Sequence, residues 1–248
     1  LQYEENPYPR WRYGNYSESE KISIMQGINT EIKPNSINSN AEDSQLKVLI
    51  AGCGTGNQIL QAQRYKNAQV TGIDLSLSSL SYAQRKINEL EIDNVELIQM
   101  DILEVGLLKE QFDIIESSGV LHHMEDPLKG LQALLAILKP NGFLRLGLYS
   151  ELARQDIIEV REFIKNKKFM NTINDIRKCR KAIIENKENK LLQKVLYRKD
   201  FYSTSAVRDL MFHIQEHRFT LKQISKISKN FNLEFLGFVD QSLKNKFS

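Results

Sequence analysis

The feature that most constrains the fold is a regular alternation of short apolar runs and helical patterns between residues 46 and 150. The apolar runs are rich in β-branched residues and cover 47–52, 68–74, 94–101, 112–118 and 142–149. Segments whose apolar residues recur at helical spacing lie between them, at 57–66, 77–90 and 127–138. This alternation predicts a doubly wound α/β fold, with a mostly parallel sheet covered by helices on both faces.

The segments on either side do not follow this alternation. Residues 1–45 are predicted to form an aromatic arm, a short helix capped by Ser17 and a polar linker, because PYP opposes a helix and SESE matches a capping box. Residues 151–219 have helical patterns and are too long for a simple connection, so a helical insert or lid is predicted. Residues 220–248 are predicted to return to the core with a helix at 220–231 and a last strand at 233–240.

Charge and composition restrict the partners that we expect. The net charge is +3, but residues 161–200 hold 13 Lys or Arg against 5 Asp or Glu, which gives +8. Such a segment can bind nucleic acid, but it lacks interleaved aromatic residues and is better explained as a solvated helix surface. No apolar run approaches the roughly 18 residues of a membrane span. We expect a cytoplasmic protein with two reduced cysteines, and a fragment of a longer chain because the first residue is Leu1.

A glycine-rich loop, VLIAGCGTGNQ at residues 48–58, follows the first predicted strand. Gly52, Gly54 and Gly56 would let the backbone approach a ligand closely, and the following helix N-terminus favours anionic groups. No Gly-Lys-Ser/Thr follows, which excludes the phosphate loop of nucleoside triphosphatases. Asn57 stands where a dinucleotide fingerprint has its third glycine. The loop therefore predicts an adenosine-bearing cofactor with a smaller polar end group.

Asp74 ends the second predicted strand, 22 residues after Gly52. A carboxylate at this place can accept hydrogen bonds from both hydroxyls of a ribose. The alternative is that Asp74 caps the next helix.

Four stretches in order resemble the motifs of class I S-adenosylmethionine-dependent methyltransferases: VLIAGCGTGNQ, VTGIDLS, VELIQMDIL and FDIIESSGVLHHMEDP. They cover residues 46–150. The resemblance implies that the glycine loop holds the methionine end of the cofactor, that the second and third strands end in acids for the ribose and the adenine amino group, and that the fourth strand ends beneath the sulfonium. The implied residues are Gly52, Cys53, Gly54, Thr55, Gly56, Asn57, Asp74, Leu75, Asp101, Ile102, Ser117, Ser118 and Gly119. ENPYPRW and RDLMFHIQEH are also similar to bacterial methyltransferase modules, some of which follow tetratricopeptide repeats.

Methyl transfer from a sulfonium is an in-line displacement, so the protein mainly positions the nucleophile, and a general base helps when that nucleophile is a hydroxyl or ammonium. His122 and His123 follow the fourth strand and are predicted to face the methyl group, although backbone-bonded loop histidines would fit the same sequence. His213 and His217 lie in HIQEH, on a predicted helix whose buried stripe is Val207, Leu210, Met211 and Ile214.

On that predicted helix, His217 and Glu216 flank the stripe, and either a purely structural role or a role facing the substrate fits this position; the substrate-facing role is the functional hypothesis. HIQEH also matches a zinc-peptidase pattern, but we expect no metal, because five common residues are a weak motif. Tyr8, Trp11, Tyr149 and Arg154 complete the candidate substrate residues. For Tyr8 and Trp11 the alternative is an aromatic arm that packs on the side of the domain.

The sequence therefore predicts methyl transfer from S-adenosylmethionine to a small-molecule acceptor. Two alternatives stay open: a methyltransferase acting on protein or nucleic acid, and a regulatory module that binds the cofactor without turnover.

Overall fold

The computed structural model of the chain describes Glu4, Pro7, Trp11, residues 21–38 and residues 45–239. Within them, a five-stranded sheet has the strand order β3-β2-β1-β4-β5, and all neighbouring strands are parallel. The strands are β1 (Leu46–Ala51), β2 (Ala68–Asp74), β3 (Val95–Gln99), β4 (Phe112–Ser118) and β5 (Leu138–Gly147). The predicted doubly wound α/β fold is confirmed.

Helices lie before, between and after these strands. In chain order they are α1 (Ile24–Glu31), α2 (Asn57–Ala62), α3 (Leu77–Glu89), α4 (Pro127–Ala136), α5 (Gln155–Lys167), α6 (Ile173–Glu185), α7 (Lys190–Lys194), α8 (Thr204–Phe212) and α9 (Leu221–Asn230). Short 3₁₀ turns cover Ile102–Leu108, Leu121–His123, Leu152–Arg154, Val195–Tyr197 and Lys199–Tyr202. No helix in the described part of the chain has both the length and the apolar character needed to cross a bilayer.

The strand order places β1 between β2 and β4. The chain runs outward from β1 to β3 on one side and then returns to β4 on the other, which creates the switch point where open α/β sheets bind ligands. Val48 and Ile50 pair with Val70 and Gly72 of β2, and Val48 also pairs with Ile114 of β4. Val48, Leu49, Ile50 and Ala51 are all completely buried, as expected for a central parallel strand covered on both faces.

Helix α1 begins later than the sequence predicts. Its N-cap is Ser23, whose hydroxyl accepts from the Gln26 N–H while the Gln26 side chain accepts from the Ser23 N–H. The predicted start at Ser17 was wrong, because residues 21–23 are not helical and Ser23 with Gln26 forms the capping box instead. Ser17 itself lies outside the described residues.

The chain divides into two compact units. The first comprises Leu1–Val120, Leu128–Gly147 and Leu221–Ser248, and the second comprises Leu121–Pro127 and Leu148–Thr220. The second unit thus includes the predicted insert and also the short segment after β4 that contains two of the four histidines. The two cysteines are free: Cys53 is buried in the first unit and Cys179 in the second.

Each unit has its own apolar core. The core of the first unit forms where β1, β2 and β4 pack against α1, α2 and α3, and its members include Ile24, Val48, Ile59 and Val70. The core of the second unit is built by helices alone. Its fully or almost fully buried members are Ile157, Val160, Ile176, Cys179, Ile183, Leu192, Val195, Phe201, Val207 and Met211. The insert is therefore more than a surface loop, since it buries an apolar core of its own.

One helix prediction and one strand prediction near the C-terminus were wrong. Helix α8 ends at Phe212, so HIQEH is not helical, and Ile214 is 90% exposed rather than part of a buried stripe. His213 has extended backbone angles (φ −61°, ψ 135°), which end the helix before the motif. Residues 233–239, predicted as part of a last strand, pair with no strand of the described sheet.

Candidate functional site

The glycine loop connects β1 to α2 in the first unit and is shaped by its backbone. Gly52, Gly54 and Gly56 have φ values of 76°, 53° and 92°, which L-residues with side chains rarely adopt. A Cβ atom on Gly52 would lie 2.3 Å from Cγ2 of Val120, and one on Gly56 would lie 3.0 Å from Cβ of Ala83. Glycine is required at Gly52 for both its backbone conformation and the space around it.

Asp74 fastens this loop to the end of β2. One of its carboxylate oxygens accepts from the Gly54 N–H at 2.8 Å and the other accepts from the Ser76 N–H at 2.9 Å. Burial raises the pKa of the Asp74 carboxyl above its usual 3.8, and the N–H groups of Ser76 and Gly54 oppose that rise. Helix α3 is capped by Ser76, whose hydroxyl accepts from the Ser79 N–H. Asp74 is therefore not the N-cap of α3, and its oxygens retain lone pairs for a ligand.

The other predicted cofactor residues also lie in the first unit. Leu75 follows β2 and is 65% exposed, whereas Ile102, at the start of the turn after β3, is buried. The Asp101 carboxylate accepts from the Leu103 N–H at 2.9 Å and caps that turn. Cys53 and Thr55 are buried within the glycine loop, and burial raises the pKa of the Cys53 thiol.

The end of β4 contributes Ser117, Ser118 and Gly119. Ser117 is buried, and its hydroxyl has no hydrogen-bond partner among the residues that the structure describes. The carbonyl of Ser118 accepts from the Gln58 side chain at 3.1 Å, which ties the start of α2 to β4. Gly119 has φ 81°, and no atom would lie within 4 Å of a Cβ placed there. The sequence reasoning missed Gln58, although it directly follows Asn57 in the quoted glycine motif.

Trp11 contacts the glycine loop through its indole N–H, which donates to the Thr55 carbonyl at 3.1 Å. Its ring also packs edge-on against Tyr82 of α3, with centroids 6.1 Å apart, and Tyr82 donates to the Trp11 carbonyl. These contacts favour support of the loop over the predicted substrate contact. Tyr8 lies outside the described residues.

A cluster of rings and charges occupies one region of the second unit. We call it the histidine cluster; its members are His122, His123, Tyr149, Arg154, His213, Glu216 and His217. The rings of His122 and Tyr149 stack with centroids 3.6 Å apart, and those of His123 and His213 stack at the same distance. The Cζ atom of the Arg154 guanidinium lies 3.7 Å from the Tyr149 ring centroid.

Glu216 anchors the charges of this cluster. Its side chain is 1% exposed, and its carboxylate accepts from Arg154, whose Nε lies 3.1 Å away, and from Arg218 at 3.4 Å. Arg154 also donates to the Leu210 carbonyl at 3.3 Å. Two guanidinium groups stabilise the charged form of this buried carboxylate. Glu216 is therefore better suited to positioning Arg154 than to accepting a proton.

The histidines of the cluster are held by the segment that follows α8. Nδ1 of His123 lies 2.9 Å from the Gln215 carbonyl, and the His217 N–H donates to the His122 carbonyl at 2.7 Å. Because a carbonyl can only accept, Nδ1 of His123 carries a proton and Nε2 carries the lone pair of the neutral ring. Burial lowers the pKa of His123 to about 4, so this ring is neutral at pH 7.

Most members of the histidine cluster were predicted as site residues from the sequence, but with a different local structure. The sequence reasoning placed HIQEH on a helix, whereas these residues reach His122 and His123 as an extended segment after α8. It missed Gln215, whose carbonyl bonds to His123.

Comparison with known proteins identifies the family. A family model described as "Methyltransferase domain" matches residues 42–200. The chain belongs to this methyltransferase domain family. It is a class I S-adenosylmethionine-dependent methyltransferase domain, and the predictions of the enzyme class and of the cofactor are confirmed.

Individual proteins and solved structures are also similar to this chain. An uncharacterized protein of Synechococcus is 28% identical over 79% of this chain and 49% of its own length. A ubiquinone biosynthesis O-methyltransferase of Histophilus somni is 37% identical over 41% of this chain and 44% of its own length. The structure of PKMT2 from Rickettsia typhi in complex with AdoHcy has a TM-score of 0.72 with 21% identity, and covers 97% of this chain and 49% of that one. The chain therefore matches about half the length of each of these relatives.

Proposed function

We propose that this domain transfers the methyl group of S-adenosylmethionine to a hydroxyl oxygen of a small-molecule acceptor. The acceptor oxygen forms a bond to the methyl carbon while the carbon–sulfur bond breaks, the hydroxyl proton passes to solvent water, and S-adenosylhomocysteine is released. The first unit would hold the cofactor through Asp74, Asp101 and the loop of Gly52, Gly54 and Gly56. The histidine cluster of the second unit offers groups that would orient a hydroxyl.

The observation that carries this proposal is the state of His123. Its Nδ1 is bonded to the Gln215 carbonyl, so its Nε2 lone pair can accept a hydrogen bond from a hydroxyl. Its pKa of about 4 keeps that lone pair available at neutral pH. A base this weak suits orientation of a hydroxyl better than complete removal of its proton, and the activated methyl of a sulfonium requires mainly orientation.

The neighbouring residues have different proposed roles. His122 is stacked on Tyr149, and Arg154 covers that tyrosine, so these three residues would form an aromatic and cationic wall for the acceptor. Glu216 would position Arg154 through the ion pair, and His217 would hold the loop of His122 through its backbone N–H.

A hydroxyl acceptor is also favoured by one relative. The protein from Histophilus somni is named as an O-methyltransferase of ubiquinone biosynthesis, and it shares 37% identity with 41% of this chain. Transfer to oxygen is consistent with a site that offers a neutral imidazole.

The test is an acceptor screen that follows the release of S-adenosylhomocysteine with small phenols, alcohols, carboxylic acids and amines. We expect turnover with a hydroxyl compound, and a His123→Gln variant with lower kcat and unchanged affinity for S-adenosylhomocysteine. His123→Gln is informative because glutamine can still bond to the Gln215 carbonyl but lacks the imidazole lone pair. Turnover only with amines, protein or nucleic acid would overturn the proposed acceptor class.

A further inference from the structure

Three side chains of the second unit bring potential metal-ligand atoms together. His123, Asp209 and His213 each offer one such atom, and these atoms all lie within 4.8 Å of one another. The three residues come from the turn after β4, from α8 and from the position just after α8 ends at Phe212. All three side chains are partly exposed, so an ion can reach them from solvent.

The two imidazoles are oriented by a single residue. Gln215 accepts from Nδ1 of His123 through its carbonyl at 2.9 Å, and its N–H donates to Nδ1 of His213 at 3.3 Å. The second bond uses the lone pair of the neutral His213 ring, so His213 must give up this bond when it coordinates an ion. A histidine that binds a metal through one ring nitrogen commonly donates its other N–H to a backbone carbonyl, which fixes the tautomer and the ring orientation. His123 has this arrangement, with Nε2 as the nitrogen left to coordinate an ion.

The ligand set has a definite chemical preference. Two imidazoles and one carboxylate bind Zn²⁺ and related first-row divalent ions, at about 2.0–2.2 Å from each ligand atom. Ligand atoms that share such an ion lie about 3–4 Å apart, so the cluster needs to contract by about 1 Å. The rings of His123 and His213 are stacked with an interplanar angle of 22°, and they would tilt toward each other on binding.

The alternative explanation of these contacts is packing. Two neutral imidazoles can stack in a partly buried region beside a carboxylate without any ion, held by the Gln215 hydrogen bonds. This alternative predicts that metal affinity is low and independent of Asp209.

We propose that His123, Asp209 and His213 bind one divalent first-row transition ion, with Zn²⁺ preferred, and leave at least one coordination position open. The site goes beyond the proposed methyl transfer, and it competes with that proposal at one atom, because both use the Nε2 lone pair of His123. An ion bound there would occupy Nε2 of His123, and its open position could receive the same kind of oxygen ligand as an acceptor hydroxyl.

The experiment uses the full chain without an affinity tag, stripped of metal by a chelator and then titrated with Co²⁺ while the visible absorption is recorded. We expect saturation at about one Co²⁺ per chain, displacement by Zn²⁺, and the stronger absorption of a four- or five-coordinate site. Asp209→Asn and His213→Ala should each weaken binding by at least about tenfold. Calorimetry with Zn²⁺ gives the same comparison without a chromophore.

The matched control is His217→Ala, because this histidine belongs to the same segment but not to the three-residue ligand set. It should keep the metal affinity of the unchanged protein. Circular dichroism checks that each variant is folded, and Asp209→Asn preserves the shape of the side chain if His213→Ala does not fold. Absence of saturable binding up to about 1 mM Co²⁺, or equal affinity in Asp209→Asn and the unchanged protein, would overturn the proposal.

Discussion

The two compact units build their polar sites from different parts of the chain. In the first unit the candidate cofactor site is mainly backbone: Gly52, Gly54 and Gly56 form a loop with positive φ, and Asp74 fastens it. In the second unit the site is made of side chains, with the ion pair of Arg154 and Glu216 buried among stacked rings. The first site should therefore be sensitive to added atoms, and the second to lost charge.

The largest effect is expected from Glu216→Gln. This change leaves Arg154, whose side chain is 7% exposed, without its charged partner, and should lower the free energy of unfolding of the second unit by about 3–5 kcal/mol. Circular dichroism during urea denaturation reports the helices of both units, including those of the second. The single tryptophan, Trp11, lies in the first unit, so its fluorescence should show a smaller change.

The control for this variant is Glu185→Gln, which removes an exposed ion pair with Lys181 and should change stability by less than about 1 kcal/mol. Equal losses of stability in the two variants would mean that the buried ion pair stabilises the protein no more than the exposed one.

A smaller but still large effect is expected from Gly52→Ala. The positive φ of 76° costs roughly 1–2 kcal/mol for a residue with a side chain, and the clash with Val120 adds an overpacking cost, so about 2–4 kcal/mol of stability should be lost. The measurement is urea denaturation followed by Trp11 fluorescence.

Two other glycines separate the cost of the positive φ from the cost of the steric clash. Gly119→Ala has the unfavourable φ of 81° but no atom within 4 Å, and should cost only the conformational part. Gly106→Ala has no contact within 4 Å and no positive φ, and should be tolerated. Similar losses at Gly52 and Gly106 would contradict the idea that loop geometry limits the first unit.

A third effect concerns affinity rather than stability. Asp74→Asn removes the charge that would accept hydrogen bonds from the ribose, worth about 1.5–3 kcal/mol, so the Kd for S-adenosylhomocysteine should rise by about tenfold or more. Calorimetry measures this change, and Asp93→Asn, at an exposed position, is the control. Unchanged affinity in Asp74→Asn would mean that Asp74 does not bind the ribose and serves only to hold Gly54 and Ser76.

The pH dependence at Asp74 has a definite sign. Because burial raises its pKa above 3.8, the carboxyl becomes protonated at a higher pH in the folded protein than in the unfolded chain. As the pH falls through this window, the contribution of Asp74 to stability increases while affinity for S-adenosylhomocysteine decreases. Both changes should disappear in Asp74→Asn.

The smallest effect is expected from the basic surface of the second unit. The side chains of Lys178 and Lys181 are 71% and 78% exposed, and they pair with Asp175 and Glu185. Changing both lysines to glutamate should alter stability by less than about 0.5 kcal/mol and leave S-adenosylhomocysteine affinity unchanged. A salt-sensitive gel shift with RNA that the double variant abolishes would instead support a nucleic-acid partner.

The sequence could predict the first unit well because its signals are local. Alternating apolar runs specify the strands, and the glycines and Asp74 lie at the strand ends where parallel sheets bind ligands. The same reasoning failed at residues 233–239, where an apolar run forms no strand with the described sheet. An apolar run alone does not specify a strand, because strand formation depends on a pairing partner elsewhere in the fold.

The second unit was harder to predict because its contacts join distant residues. The apolar spacing of Val207, Leu210 and Met211 was correctly interpreted as a buried helix face, but Ile214 extended that pattern past the real helix end. The meeting of His123 with Gln215 depends on that end, so no local pattern could predict it.

The central claim is that the first unit binds S-adenosylmethionine through the glycine loop and Asp74. The most direct measurement is calorimetric titration of the chain with S-adenosylhomocysteine, NADH and ATP, together with the melting temperature in the presence of each. We predict saturable binding of S-adenosylhomocysteine and a raised melting temperature, since a ligand that binds only the folded state stabilises it, and no comparable effect of NADH or ATP. Tighter binding of NADH than of S-adenosylhomocysteine would contradict the account.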